Sequence, residues 1–199
     1  ITNAIQPGMK EIEAAWRVEK FLRQNGSQPI PFDIIVASGP NAAMPHARPS
    51  QRIIKNGEPV IIDLGARVDG YTSDISRTIC VGGADDTFKK LYSIVLKAQQ
   101  AAIEGITDAT SAIEADKLAR RVIEEASYNK EFSHGLGHGL GLAVHEKPHI
   151  GFNSKDTLIN GMLFTLEPGI YIPDWGGIRI EDTVLLKNGN IEVLSKAIK

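Results

Sequence analysis

Four carboxylates stand at or near the ends of apolar, strand-like stretches of the sequence. They are Asp63, Asp74, Glu167 and Glu181. The stretches "VIIDLG" and "LFTLEPG" embed an acid among Val, Ile, Leu and Phe, and desolvating a bare charge costs several kcal/mol unless it is paired or metal-bound. Each acid taken alone is better explained by turn hydrogen bonds or by an ion pair with a nearby arginine. Four of them beside a histidine cluster indicate a metal site.

The balance of charge favours two divalent ions. Their four positive charges equal the four negative charges of the ionised carboxylates, so the site is neutral in a dry core. With one imidazole, for which His138 is the best candidate, the donors suit Mn, Fe, Co or Zn better than a thiolate-preferring metal. Two such ions, about 3.5–4 Å apart, can share a bridging water, lower its pKa and polarise a scissile carbonyl. The implied chemistry is hydrolysis.

The histidine cluster ends in a match to the zinc-protease motif H-E-x-x-H. Residues 134–149 read "HGLGHGLGLAVHEKPH" and hold four of the five histidines. The motif works only on an α-helix, and Pro148 removes a backbone donor and pushes Lys147 out of the helical region. Glycine at every second position from Gly135 to Gly141 favours a backbone packed closely against a neighbour. We therefore expect the match to be accidental.

The periodicity of apolar residues predicts the elements that position these side chains. Helices are expected over residues 7–26, 85–105 and 111–127, and Ser111 with Glu114 forms a capping box for the last. The first helix is expected to be amphipathic, with an apolar stripe of Ile12, Ala15, Trp16 and Leu22. Strands are predicted over 33–37, 59–65 and 71–81, and three more lie within 161–195, with turns at Asp69-Gly70, Trp175-Gly176-Gly177 and Asn188-Gly189. This order predicts an α+β chain with mostly antiparallel pairing.

The two strand-rich regions resemble each other. Each places an acid late in one strand, then a glycine turn, then an acid in the returning strand. The repetition predicts two related halves that face each other.

The bulk composition narrows the class of protein. With 199 residues and 42% hydrophobic residues, a single domain over 1–199 is the default. A net charge of −2 does not favour nucleic acid or an anionic membrane as a partner. The single cysteine, Cys80, excludes an intrachain disulfide and favours a reducing, cytoplasmic location. The sequence has no membrane-length apolar run or signal peptide, and it begins at Ile1, so we expect it to be a piece of a longer product.

Four segments carry a resemblance to a known family. "IIDLGARVDGYTSDISRT", "HGLGHGLGLAVHEKP", "TLEPGIYI" and "GIRIEDTVLL" are similar to the signature segments of the pita-bread metallopeptidases, which include methionine aminopeptidase, prolidase, Xaa-Pro aminopeptidase and creatinase. The likeness runs from about residue 5 to the C-terminus. It implies the pita-bread fold, with two pseudo-related halves, a mainly antiparallel curved sheet and covering helices. It also implies hydrolysis of peptide bonds near a free N-terminus.

The resemblance also assigns metal ligands. It makes Asp63 and Asp74 the first ligand pair, His138 the lone nitrogen ligand, Glu167 the next acid and Glu181 the last, bridging acid. In the family the acid at the position of Glu167 is also a candidate proton shuttle. The implied cofactor is a pair of divalent ions, with Mn favoured and Co, Fe or Zn as alternatives.

Four further residues match substrate-side positions of the family. His46 corresponds to the outer histidine that contacts substrate near the scissile amide, and His145 to the one that stabilises the gem-diolate oxygen. Arg179 should share a face with the last acid by strand alternation, and the Xaa-Pro branch has an arginine there; an ordinary salt bridge is the alternative. Tyr171 matches a substrate-side tyrosine, with a core tyrosine as the alternative.

The branch is suggested by "PHARPSQRIIKNGEPVIIDLGA", "SDISRT" and "IRIEDT", which resemble Xaa-Pro peptidases more than methionine aminopeptidases. The implied substrate is a short Xaa-Pro peptide, whose tertiary amide lacks an N–H and needs a dedicated pocket. Members of this branch usually carry a separate N-terminal domain that shapes the channel and helps to form a dimer. This chain has none, so a homodimer is expected only of a full-length protein.

Three alternatives remain at this point. One is methionine aminopeptidase. The others are a pita-bread domain that has lost its ligands and serves as a binding module for peptides or proteins, and a metal-free enzyme like creatinase. All five ligand positions are intact, which argues against the last two.

Overall fold

This computed structural model describes residues 5–199 of the chain. They contain three α-helices, one 3₁₀ helix and twelve short strands, joined by loops. The helices are α1 (Glu11–Gln24), α2 (Asp86–Gly105), α3 (Ala112–Glu125) and the 3₁₀ helix Gly39–Ala43. The strands are β1 (Ile35–Ser38), β2 (Pro59–Leu64), β3 (Arg67–Val68), β4 (Tyr71–Thr72), β5 (Ile75–Cys80), β6 (Gly137–Gly139), β7 (Glu146–Ile150), β8 (Leu163–Leu166), β9 (Gly169–Ile172), β10 (Gly176–Arg179), β11 (Asp182–Lys187) and β12 (Asn190–Val193). The predicted single domain also includes residues 1–4, which lie outside the described part.

The first half is a three-stranded antiparallel sheet in the order β1-β2-β5. The predicted strand 71–81 is in fact two strands, because β4 pairs with β3 as a separate hairpin and only β5 pairs with β2. Asp74 lies at the break between β4 and β5, and Asp63 lies opposite Ser76 in the β2–β5 pair. The interruption thus places both acids at one end of this sheet.

The second half repeats this layout. Its five-stranded sheet has the order β12-β11-β8-β6-β7, and the hairpin β9–β10 is inserted between β8 and β11. The region 161–195 therefore contains five strands rather than the predicted three, because Pro168 has no N–H for a continuous ladder. Glu167 follows β8 and Glu181 precedes β11, much as Asp63 is the last residue but one of β2 and Asp74 precedes β5. The prediction of two related halves is confirmed.

Hydrogen bonds join the two halves where the acids lie. The amide of Glu181 donates to the carbonyl of Ser76 at 3.1 Å, and the hydroxyl of Thr183 donates to the carbonyl of Asp74 at 2.8 Å. Because these bonds fix β5 against the start of β11, they bring acids that are over a hundred residues apart in sequence to one place.

Helices α2 and α3 cover the second sheet, and Ser111 caps α3 in the predicted capping box with Glu114. Helix α1 packs on the first sheet with a face that is only partly the predicted one, since Ala15 is buried and Leu22 packs against the core. Trp16 is 62% exposed and Ile12 is 45% exposed, whereas Glu11 is fully buried. None of the helices in residues 5–199 has the length and apolar character needed to cross a bilayer.

The segment of alternating glycines forms strands, which confirms that its zinc-protease match is accidental. Strand β6 lies between β8 and β7. A Cβ atom at Gly137 would collide with the carbonyl of Thr165, and one at Gly139 would collide with the carbonyl of Lys147. Side chains are excluded at both positions because the neighbouring strands approach so closely.

Candidate active site

A cavity of about 470 Å³ opens where the two halves meet. Its lining combines acids, histidines and one arginine with apolar side chains such as Phe32, Ile35 and Val144. Among the residues singled out from the sequence, the lining contains Asp63, Asp74, His138, Glu167, Glu181, His46, His145 and Arg179. The fold thus gathers eight of the nine predicted site residues around one space, and the ninth, Tyr171, is not part of the lining.

The tightest cluster consists of Asp74, His138 and Glu181. One ligand atom from each lies within 4.8 Å of the others, and all three residues are buried. His138 Nε2 is also 3.7 Å from Asp74 Oδ2 and 3.4 Å from Glu167 Oε1. A divalent cation can therefore reach oxygen and nitrogen donors at the same time.

The orientation of His138 fits a metal ligand. Its Nδ1 faces the carbonyl of Gly139 at 3.1 Å, so this nitrogen carries the proton and donates. The lone pair of Nε2 then points toward the carboxyl groups of Asp74 and Glu167, an unfavourable contact unless a cation or a proton lies between them. A backbone carbonyl that fixes the tautomer in this way is a common partner of metal-binding histidine.

The other acids keep oxygens available for a cation. Asp63 Oδ2 accepts a 2.7 Å hydrogen bond from Arg179 Nη2, while its Oδ1 is buried without a partner. Glu181 Oε2 accepts from the hydroxyl of Ser76 at 2.7 Å. Buried carboxylate oxygens normally find a donor or a cation. The donor set fits oxygen-preferring divalent metals.

Two hydroxyl residues that support the acids were missed by the sequence reasoning. Ser76 binds Glu181, and Thr165 Oγ1 donates to Glu167 Oε1 at 3.1 Å. Thr165 also accepts the backbone N–H of His138 at 3.1 Å. Each hydroxyl lies two residues from one of the predicted acids. Strand alternation could therefore have placed it on the same face.

Burial of several acids together shifts their protonation. Desolvation, and then the charges of Asp63 and Glu167, raise the pKa of Asp74 to about 9. Desolvation raises the pKa of Glu167 to about 7, and desolvation followed by the charge of Asp74 raises that of Glu181 well above its usual range. At neutral pH, ionising all of these carboxyl groups together is therefore unfavourable in the metal-free protein. Bound cations would stabilise the ionised form.

In protein stripped of metal by a chelator, we expect stability to fall as pH rises. The folded pKa of Asp74, about 9, exceeds its usual value near 4, so the folded state binds this proton more tightly. The resulting stabilisation is complete below about pH 4 and is lost as pH approaches 9. Added Mn²⁺ should therefore raise Tm more at pH 8 than at pH 5. Thermal unfolding with chelator or metal tests this, and an equal or larger effect at pH 5 would contradict it.

The two predicted substrate-side histidines, His46 and His145, both line the cavity beside the acid cluster. The ring of His145 lies 4.1 Å from the ring of His138, centroid to centroid, and His46 lines the same cavity from the loop after the 3₁₀ helix. Both side chains are exposed to the cavity. Partial burial, and then the charge of His46, lower the pKa of His145. A neutral imidazole there can donate to a substrate oxygen.

Arg179 links the two pairs of acids. Besides its contact with Asp63, its Nε donates to the hydroxyl of Ser76 at 2.9 Å, and this hydroxyl in turn donates to Glu181. Its Nη1 donates to the carbonyl of Pro45 at 3.0 Å. A buried guanidinium with this many partners fixes carboxylate positions more firmly than an isolated surface ion pair would.

Tyr171 lies behind Arg179 and is absent from the cavity lining. Its hydroxyl donates to His134 Nε2 at 2.8 Å and accepts from Arg179 Nη1 at 3.1 Å. Because His134 Nδ1 faces the carbonyl of Gly135 at 2.8 Å, Nε2 is the acceptor nitrogen. Burial raises the pKa of Tyr171 to about 12 and so keeps it a donor. Contact between Tyr171 and the substrate stays a prediction. Its position in the structure is better suited to orienting the side chain of Arg179.

Comparison with known proteins gives consistent results. Residues 1–188 match the model of metallopeptidase family M24. The Xaa-Pro dipeptidase of Pyrococcus horikoshii is 47% identical over 187 residues, which are 94% of this chain and 53% of that protein.

Solved structures give the same fold. The prolidase of Pyrococcus furiosus superimposes with a TM-score of 0.96 at 44% identity over 98% of this chain and 58% of its own. The X-Pro aminopeptidase of Thermotoga maritima gives 0.96 at 39% identity over 99% of this chain and 56% of its own.

These matches agree with the arrangement of the two halves and their acids. The chain spans about half the length of the curated relatives it matches. It has the pita-bread fold of the prolidase and aminopeptidase structures. With the family model covering nearly the whole sequence, the chain belongs to metallopeptidase family M24.

Proposed function

We propose that the chain is the catalytic part of a metal-dependent peptidase that hydrolyses Xaa-Pro bonds near the free N-terminus of short peptides. The observation that carries this proposal is the single cavity onto which all five predicted ligands open, together with His46 and His145. The relatives named Xaa-Pro dipeptidase and X-Pro aminopeptidase support the proline preference.

We further propose that two divalent ions are held by Asp63, Asp74, His138, Glu167 and Glu181. Charge balance favours two ions over one, because four carboxylates surround the site. Mn is favoured, and Co, Fe or Zn also suits these donors. When bound, such ions activate a water molecule and polarise the scissile carbonyl. The unpartnered Asp63 Oδ1 and the free lone pair of His138 Nε2 support this assignment.

Side chains around the proposed metal site, including the ligand Glu167, are proposed to supply proton transfer and charge stabilisation. Glu167 is proposed to take a proton from the attacking water and to deliver it to the proline nitrogen as the C–N bond breaks. His145 is proposed to donate a hydrogen bond to the carbonyl oxygen as negative charge develops there. His46, which lines the same cavity, is proposed to orient the substrate near the scissile amide. Arg179 keeps Asp63 and Ser76 in place.

Substrate selection is proposed to depend on the apolar part of the lining. Phe32, Ile35 and Val144 offer a surface for a proline ring next to the polar cluster. Relatives of both kinds, dipeptidase and aminopeptidase, are similar to this chain, so the permitted peptide length is left to experiment. For the full-length protein, a cytoplasmic location and a homodimer are proposed.

The test is hydrolysis of matched peptides by metal-loaded protein. Protein stripped of metal and reloaded with Mn²⁺, Co²⁺ or Zn²⁺ is given Ala-Pro, a longer Xaa-Pro peptide, Ala-Ala and Met-Ala. We expect cleavage of the proline peptides only, with Mn²⁺ giving the highest rate. The relative rates on the dipeptide and the longer peptide separate a dipeptidase from an aminopeptidase. Preferential cleavage of Met-Ala, or no cleavage by protein with two metals bound, would count against the proposal.

A further inference from the structure

Glu11 is the first residue of α1 and is fully buried, although it is charged. Five donor atoms make six hydrogen bonds to its two carboxylate oxygens. The donors are the backbone N–H and hydroxyl of Ser38 (both 2.8 Å), the side-chain amide of Asn41 (3.2 and 3.0 Å), and the backbone N–H (3.1 Å) and hydroxyl (2.6 Å) of Ser50. A carboxylate with this many donors has exchanged its water shell for protein contacts.

These donors lie at both ends of one segment. Ser38 is the last residue of β1, and Ser50 follows residues 39–49, which we call the His46 loop. Glu11 Oε1 binds the Ser38 end and Oε2 binds the Ser50 end, while Asn41 contacts both oxygens. A single carboxylate therefore sets the distance between the two ends of the loop.

The helix backbone and the site hold the loop at further points. The amide of Ile12 donates to the carbonyl of Ser50 at 3.1 Å. In the middle of the loop, the carbonyl of Pro45 accepts from Arg179, and Gly177 leaves room for the carbonyl of Ala42. The loop thus runs from Glu11 to the acid cluster, and His46 follows the residue that touches Arg179.

We propose that Glu11 is a positioning residue that holds His46 at the cavity. The proposal rests on the proposed function, in which His46 orients the substrate. Without both anchors, a loop of eleven residues has more conformations, and the imidazole loses its fixed place. Glu11 acts only through this loop and does not line the cavity.

Both acceptor oxygens of Glu11 matter as well as the length of its side chain. Glutamine keeps the length but has one acceptor oxygen, and its NH₂ group would face donors at either the Ser38 or the Ser50 end. A donor facing a donor leaves buried polar groups unsatisfied. Glu11→Gln should therefore release one end of the loop.

The experiment compares Glu11→Gln with Glu13→Gln in metal-loaded protein. Glu13 lies in the same helical turn but is exposed, so it is a matched control. We expect Glu11→Gln to lower kcat for Ala-Pro by about 10- to 100-fold through misplacement of His46, with metal content unchanged. Glu13→Gln should stay within about twofold of the parent protein.

Coupling to His46 distinguishes positioning from general support. In a His46→Ala background, Glu11→Gln should change kcat by less than about threefold, because the group that it positions is gone. An undiminished effect in that background would overturn the proposal. Should Glu11→Gln fail to fold, Ser50→Ala, which removes one donor to the carboxylate, replaces it in the same cycle.

A second readout does not depend on peptidase activity. Hydrogen exchange by mass spectrometry should show faster exchange across residues 39–49 in Glu11→Gln than in Glu13→Gln. If the parent protein cleaves no peptide, the proposed function fails while this readout still decides whether Glu11 holds the loop. Unchanged exchange across the loop would overturn the inference on its own.

Discussion

Replacing Asp74 by alanine is expected to abolish metal binding and peptidase activity while leaving the fold intact. Asp74 belongs to the buried cluster with His138 and Glu181, at the break between β4 and β5. Loss of a direct ligand should weaken metal binding by more than the 10- to 100-fold typical of an outer partner. Metal analysis and peptide hydrolysis, made on the same samples, measure the two effects.

The fold should survive this change because Asp74 is itself unfavourable in metal-free protein. Its pKa of about 9 reflects burial, and then repulsion by Asp63 and Glu167. We therefore expect chelator-treated Asp74→Asn to unfold at a higher temperature than the chelator-treated parent at pH 8. Unchanged metal stoichiometry in Asp74→Ala would refute its role as a ligand.

Replacing His145 by alanine is expected to lower turnover far more than metal content. The ring of His145 lies at the cavity beside His138 but is exposed and outside the cluster of Asp74, His138 and Glu181. Loss of one donor to a developing oxyanion typically costs about 10²- to 10³-fold in kcat. Hydrolysis of Ala-Pro at saturating substrate, with metal content measured in parallel, gives the comparison.

Two further variants calibrate this result. His138→Ala should lose both metal and activity, as expected for a ligand. Lys147→Ala, at an exposed position of the neighbouring strand, should retain both. If His145→Ala loses metal and activity to the same extent as His138→Ala, then His145 is a ligand and not a substrate-side donor.

Features that depend on local sequence were predicted correctly. Pro148 and the alternating glycines excluded a helix at residues 134–149, and Ser111 marked the start of α3. Local rules of this kind work because steric exclusion and capping act within a few residues. The repeated order of acid, glycine turn and acid likewise indicated two halves.

Features that depend on distant partners were not predicted. Trp16 was placed on the apolar stripe of α1 but is exposed, while Glu11 faces inward. Helical periodicity cannot identify Glu11 as buried, because the donors that satisfy it come from Ser38 and Ser50, 27 and 39 residues away. The division of residues 71–81 into two strands also depended on the pairing partner.

The sequence by itself determined which side chains could bind a metal, since an acid in an apolar strand needs a cation or a donor wherever it lies. It also determined the fold class, through periodicity and turns. Only the tertiary structure decided that Ser76 supports Glu181, that Arg179 joins Asp63 to this pair, and that Glu11 holds the His46 loop. Those arrangements depend on which surfaces pack together, and such packing is set by contacts across the whole chain rather than by spacing within any segment.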